Sequence, residues 1–274
     1  MTSTSRPERP HGLCRACPAA VRRWEARDGA LRTDDLAQLL NPRTRLVTSS
    51  LVSFYNGFRL PLTEVIATVR RHSSALIALD VTQALGRVPL DLTGVDLIVS
   101  STHKWILATH GGGLVGVPQA GAADWTVPAG GWFNLENAFE ADRFERAIIK
   151  RGAGSFGVGM PNYPAVYAIR AALEYIQEVG VTAIDQHAQP LVDRCFAGLK
   201  ELNVSLLTPA DPDSRAGIIA FRHPQAAKIH ERLHAQNIHL MHHAGRLRVA
   251  IHGYNTPADV DRLLRALRES LKQV

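Results

Sequence analysis

The sequence predicts an α/β fold: a mostly parallel sheet with helices on both faces, followed by a small C-terminal α+β domain. Three observations carry this reading. Apolar runs end at Ser50, Asp80 and Ser100, and the segments between them are long enough for crossovers. Amphipathic patterns of helical period lie between and after those runs. From about residue 180 the chain changes to short strands alternating with helices.

Taken in order, residues 1–20 are rich in Pro, Arg and Ser and read as an irregular tail. Asp34 to Leu40 reads as a short helix capped near Thr33 and ended by Asn41-Pro42. Arg45 to Ser50 is a strand, and Pro61 to Arg71 a helix with proline in its first turn. Ala75 to Asp80 and Val95 to Ser100 are buried strands, and Leu114 to Pro118 is a further short one. A parallel sheet of such strands should be covered on both faces, with ligands gathering at the carboxyl ends of its strands. Residues 119–162 are irregular and rich in Gly, Trp and Phe, which suits loops over a pocket or interface. Tyr163 to Val179 and Val181 to Leu202 are helices. Strands at Val204–Leu207, Gly217–Arg222 and Arg246–Ile251 then alternate with helices at Gln225–Gln236 and Pro257–Lys272. The expected division is a tail over 1–20, a large domain over 21–179 and a small domain over 180–274.

Composition excludes several classes. The 274 residues are 46% hydrophobic and 20% charged, as in an ordinary globular protein. The net charge of +6 is scattered, with short clusters at Arg22-Arg23 and Arg70-Arg71. That argues against nucleic acid and fits an anionic small molecule. No apolar stretch is long enough for a membrane span, and residues 1–12 lack the apolar core of a signal peptide, so a cytoplasmic protein is expected. Cys14-Arg15-Ala16-Cys17 has CxxC spacing but lacks the second half of a zinc site. It reads as incidental, and Cys195 as a packing residue.

The chemistry concentrates at the strand ends. Ser101-Thr102-His103-Lys104-Trp105 follows one apolar run, and Asp80 ends another. Pyridoxal phosphate (PLP) needs such a pair: a lysine amine for its aldehyde and a carboxylate for its ring nitrogen. The freed amine can afterwards move the α-proton of an amino-acid substrate. Gln83 is placed to reach the ring's phenolic oxygen. Ser101 and His103 can bond a phosphate, and Gly111-Gly112-Gly113 permits close backbone approach. Arg248 offers the planar fork that suits a substrate carboxylate, although Arg246 lies on the same side of the strand and periodicity does not choose between them. His239, His242 and His243, with His252 nearby, fit no metal spacing and read as solvent or pocket-lining residues. Trp132, Phe133, Phe139 and Phe144 read as loop anchors.

These residues together resemble the class V aminotransferase family of fold-type I PLP enzymes, which includes cysteine desulfurases and isopenicillin-N-epimerase-like proteins. The matching motifs are Asp80-Val81-Thr82-Gln83-Ala84, Ser101 to Trp105, Gly159-Met160-Pro161-Asn162, and Arg248 through Tyr254-Asn255-Thr256; Val52 to Arg59 is similar to the epimerase-like branch. The resemblance implies that Lys104 takes the cofactor aldehyde, Asp80 faces the ring nitrogen and Gln83 the ring oxygen. It assigns Ser101 and His103 to the phosphate and Arg248 to the substrate carboxylate. It also implies an amino-acid substrate and a homodimer or larger self-assembly.

Departures from the family pattern shape the expectation further. The similarity starts near Val21, which implies an N-terminally truncated member without the Gly-Thr-Thr-like phosphate loop and the ring that stacks on the cofactor. His11 is the only ring near the right place. Met160 replaces a threonine that in the family reaches a neighbouring subunit's phosphate, and Gly157 replaces a common glutamate. The loop before Arg248, residues 237–244, has no cysteine, so a persulfide-forming desulfurase is not expected. Two readings follow: an epimerase-, lyase- or transaminase-type PLP enzyme, or a catalytically weak member that acts as an interaction protein or needs a partner's segment.

Overall fold

The computed structural model describes residues 20–127 and 130–273. Cys14, Cys17 and His11, with all of the tail but Ala20, lie outside the described residues. The first sheet has four strands in the order β1-β2-β3-β4, where β1 is Leu46–Ser50, β2 Leu76–Asp80, β3 Leu97–Ser101 and β4 Gly113–Gly116. β1, β2 and β3 run parallel, as their apolar runs and crossovers require. The register pairs Ser50 with Asp80 and Asp80 with Val99, which brings three carboxyl ends to one edge. β4 is antiparallel to β3; the chain reverses over residues 102–112, with Leu107 at φ 64° and Gly111 at φ 92°.

The short helix α1, Thr33–Leu39, begins one residue before the expected start. Its cap position is Arg32, and no side chain caps it. Helix α2, Leu62–His72, shows why one face of the sheet is dry. Its Val65 and Val69 are buried in one core with Ile77 and Leu79 of β2. The opposite face departs from the expected double cover. Leu46, Leu76 and Val99 stay 55%, 43% and 40% exposed. Full burial of each such side chain is worth about 1.5–3 kcal/mol, so this face forgoes several kcal/mol among the described residues.

α3, Tyr163–Val179, and α4, Val181–Glu201, are separated by Gly180, whose φ of 86° suits glycine alone. The second sheet is antiparallel in the order β5-β6-β8-β7, with β5 Ser205–Leu206, β6 Ile218–Arg222, β7 Met241–His243 and β8 Arg246–Ala250. α4 packs on it with α5, Ala226–Ala235, and α6, Pro257–Leu271, in one core that includes Val192, Leu199, Ile219, Ile229, Leu247 and Leu267. A capping box between Thr256 and Asp259 starts α6.

Two buried polar ties join the sheets. Arg87 is fully buried; its Nε donates to the Ile251 carbonyl at 2.9 Å and Nη1 to Asp185 at 2.8 Å. Asn56 Nδ2 donates to the Leu207 carbonyl at 3.1 Å, and Thr208 Oγ1 donates back to the Asn56 carbonyl at 2.6 Å. Among the loop aromatics, Phe139 meets Trp132 and Phe133 at ring distances of 5.5 and 6.3 Å. Phe144, by contrast, is 87% exposed, with the neighbouring Arg143 guanidinium 4.6 Å over its ring.

Candidate active site

Asp80 closes β2 on the uncovered face, and its Oδ1 accepts the Thr82 N–H at 2.8 Å. Thr82 Oγ1 in turn accepts the Ser101 N–H at 3.0 Å, so one side chain fixes the ends of β2 and β3 against each other. Gln83 is buried; its Oε1 accepts from Trp105 Nε1 at 2.7 Å, and its Nε2 is buried with no partner. An orphaned buried amide N–H costs free energy unless an acceptor arrives.

Lys104 is exposed, and its amine has no hydrogen bond or ion pair among the described residues. The backbone beneath it is firmly held. Trp105 and Ile106 are buried, Leu107 N–H donates to the Lys104 carbonyl at 3.0 Å, and Leu107 sits in the left-handed region at φ 64°. A non-glycine residue there stores strain and persists only where neighbours enforce it. His103 is half-buried and stacks on His110 at 3.9 Å. Desolvation, then the charges of His110 and Lys104, hold its imidazole below its ordinary pKa. Gly111 and Gly112 serve the chain's own packing: a Cβ at Gly112 would stand 2.4 Å from Ile169 Cδ1, and one at Gly111 2.9 Å from Asn162 Nδ2.

His252 does not belong with the other histidines. It is buried, and its Nε2 donates to the Trp105 carbonyl at 2.9 Å while Nδ1 accepts the Gly253 N–H at 2.6 Å. The two bonds fix a neutral tautomer, and burial first of all pushes its pKa down. Its ring stacks on Trp105 and Tyr254 at 5.4 and 5.2 Å. Sequence reasoning missed this because the partner is a backbone carbonyl 147 residues away. His242 and His239 instead pack near His230 and His234 of α5, and no group of three or more potential ligands among the described residues can hold a metal ion.

Arg248 reaches from β8 to the loop after β1, where its Nη1 donates to the Phe54 carbonyl at 2.9 Å. Arg246 does the same one residue on, with Nη1 to the Tyr55 carbonyl at 2.9 Å. Desolvation lowers the pKa of both guanidinium groups, and Arg246's charge adds to the effect on Arg248. A cleft of about 800 Å³, lined in part by Ser50, Ser53, Phe54, Tyr55 and Asn56, opens beside this loop.

The donor set fits pyridoxal phosphate: a strand-end carboxylate and a free amide N–H where β2 ends, and an uncommitted amine past the end of β3.

The aminotransferase class-V profile matches residues 11–263. A probable cysteine desulfurase of Pasteurella multocida is 29% identical over 256 residues, 88% of this chain and 60% of the relative. The uncharacterized aminotransferase YcbU of Bacillus subtilis is 24% identical over 235 residues, covering 85% of this chain and 61% of that protein. The chain therefore spans about three-fifths of the length of these relatives. Among solved structures, a C-DES variant with glycine covalently linked to its PLP cofactor has a TM-score of 0.76 and 27% identity over 86% of this chain and 63% of that one. The apo cysteine desulfurase of Thermococcus onnurineus NA1, at 22% identity and a TM-score of 0.80 over 92% of this chain and 66% of that one, shares the fold.

Proposed function

The chain belongs to the class-V aminotransferase family, and on that premise we propose that it is a pyridoxal-phosphate-dependent enzyme acting on an amino acid. When bound, the family's cofactor supplies an electrophilic aldehyde and an electron-withdrawing ring that acidifies the substrate's α-carbon. Lys104 would hold the aldehyde and, once the substrate amine has freed its Nζ, would carry a proton to and from that carbon. Asp80 would keep a proton on the ring nitrogen, and Gln83 Nε2 would donate to the ring oxygen. Ser101 and His103 would donate to the phosphate. Arg248 would grip the α-carboxylate with a two-point fork. The observation that carries the reading is an uncommitted Lys104 three residues past β3 and Asp80 at the end of the adjacent parallel β2, with the orphaned amide of Gln83 three residues beyond Asp80.

The reaction is of epimerase, lyase or transaminase type and does not pass through a protein-bound persulfide. Residues 237–244 contain no cysteine, and burial pushes the Cys195 thiol up to about 12, far from a reactive thiolate. Relatives named cysteine desulfurases do not support this exclusion, which rests on the residues alone. The exposed face carrying Leu46, Leu76 and Val99 favours a second reading, in which the chain works only when another polypeptide covers that face.

All three reaction types begin by removing the α-proton, so exchange of that proton tests them together. PLP-loaded protein in D₂O with a panel of amino acids should deuterate the α-carbon of at least one, as read by NMR. Lys104→Ala should abolish it. Exchange that survives in Lys104→Ala, or none with any amino acid, contradicts the proposal.

A further inference from the structure

Three arginines of the second sheet converge on one loop. Arg222 Nη2 donates to the Tyr55 hydroxyl at 2.6 Å, Arg246 to the Tyr55 carbonyl and Arg248 to the Phe54 carbonyl. Arg246 also lies over the Tyr55 ring at 4.1 Å. None of the three forms an ion pair with a carboxylate among the described residues. Arg222 and Arg246 are direct cross-strand partners, an arrangement of like charges that destabilises a sheet. Arg246 is only 3% exposed, and the Nε atoms of Arg246 and Arg248 are buried without an acceptor. A buried guanidinium satisfied only by a neutral carbonyl is poorly compensated, whereas a carboxylate accepts two parallel charge-assisted bonds.

The residues they grip, Phe54 and Tyr55, lie four and five positions beyond Ser50, the strand partner of Asp80. The cluster therefore holds the chain that leaves the strand next to Asp80. A cleft with room for a small ligand shares the gripped residues Phe54 and Tyr55 with this cluster, though none of the three arginines is in its lining; its Asp28 is already paired with Arg32 at 3.1 Å. One arginine suffices for an α-carboxylate. Positions 246 and 222 leave a second, separate cationic group unassigned.

We propose that Arg246, with Arg222 and the Tyr55 hydroxyl, forms a second anion subsite, so that the substrate is an amino acid whose side chain ends in an acidic group. The inference rests on the reading of Arg248 as the α-carboxylate anchor. The side-chain anion displaces the Tyr55 carbonyl from Arg246 and gives the three-arginine cluster a second opposing charge beside the α-carboxylate. A neutral side chain supplies no such charge.

Isosteric pairs isolate the charge: glutamate against glutamine, and aspartate against asparagine. Binding of each to the PLP-loaded chain is measured by calorimetry, apart from turnover. In the wild type the acid should bind at least about tenfold more tightly than its amide. Arg246→Gln should shrink that ratio toward one, and Arg222→Gln, at an exposed position that does not endanger folding, should narrow it as well. Arg248→Lys should weaken acid and amide alike and keep the ratio. Equal binding of acid and amide by the wild type overturns the subsite, as does a ratio unchanged in both Arg222→Gln and Arg246→Gln. An Arg248→Lys variant that binds every ligand normally overturns the anchor reading instead. No binding of any member overturns both.

Discussion

His252 couples the lysine-bearing turn to the C-terminal sheet through a single hydrogen bond to the Trp105 carbonyl. Its pH behaviour follows from that geometry. Burial holds the folded pKa below the ordinary 6.5, so the unfolded chain binds this proton more readily than the folded one. The His252 contribution to stability is thus complete above pH 6.5 and is lost as pH falls below it toward the folded value. His252→Gln keeps a donor and an acceptor but does not titrate. The melting-temperature advantage of the wild type over His252→Gln should therefore shrink between about pH 8 and about pH 5.5. A gap that stays constant across that range would show that the imidazole does not titrate with folding. At this scale Lys104, Asp80 and Gln83 were legible because each sits in a local pattern that ends a strand. His252 and Arg87 were not, since their partners are backbone carbonyls far along the chain.

Element boundaries read from periodicity fall close to those observed. Tyr163–Val179 is the clearest case, with a helical apolar stripe bounded by Asn162, whose side chain accepts the Ala165 N–H, and by Gly180. Two features escaped. β7 is three residues long and reads Met-His-His, which carries no strand pattern. The direction of β4 depends on the turn before it, which composition does not reveal. The largest departure is the sheet face built by alternate residues of β1, β2 and β3. Their nearly unbroken apolar runs promise two covered faces, yet only the α2 side is dry. Apolar faces of this kind drive association. We propose that a second copy of the chain covers it. Sedimentation should show a dimer or larger species, and Leu46→Lys with Leu76→Lys, paired across β1 and β2, should shift it toward monomer. A wild type that remains monomeric at every concentration would contradict this.

At the scale of the molecule, the two sheets have separate cores, and we propose Gly180 as the division between them. The buried ties at Arg87 and Asn56 fix their orientation and lay Arg248 against the loop that leaves β1. That long-range placement was visible in the sequence only as a family motif, because nothing local to Arg248 points to Phe54. We propose that this assembly presents Lys104 to pyridoxal phosphate beside Asp80. Borohydride reduction of the protein after incubation with PLP, followed by peptide mass mapping, tests it most directly. A pyridoxyl group is expected on the Lys104 peptide of the wild type and none there in Lys104→Ala. Labelling spread over other lysines, with Lys104 unmodified in the wild type, would contradict it.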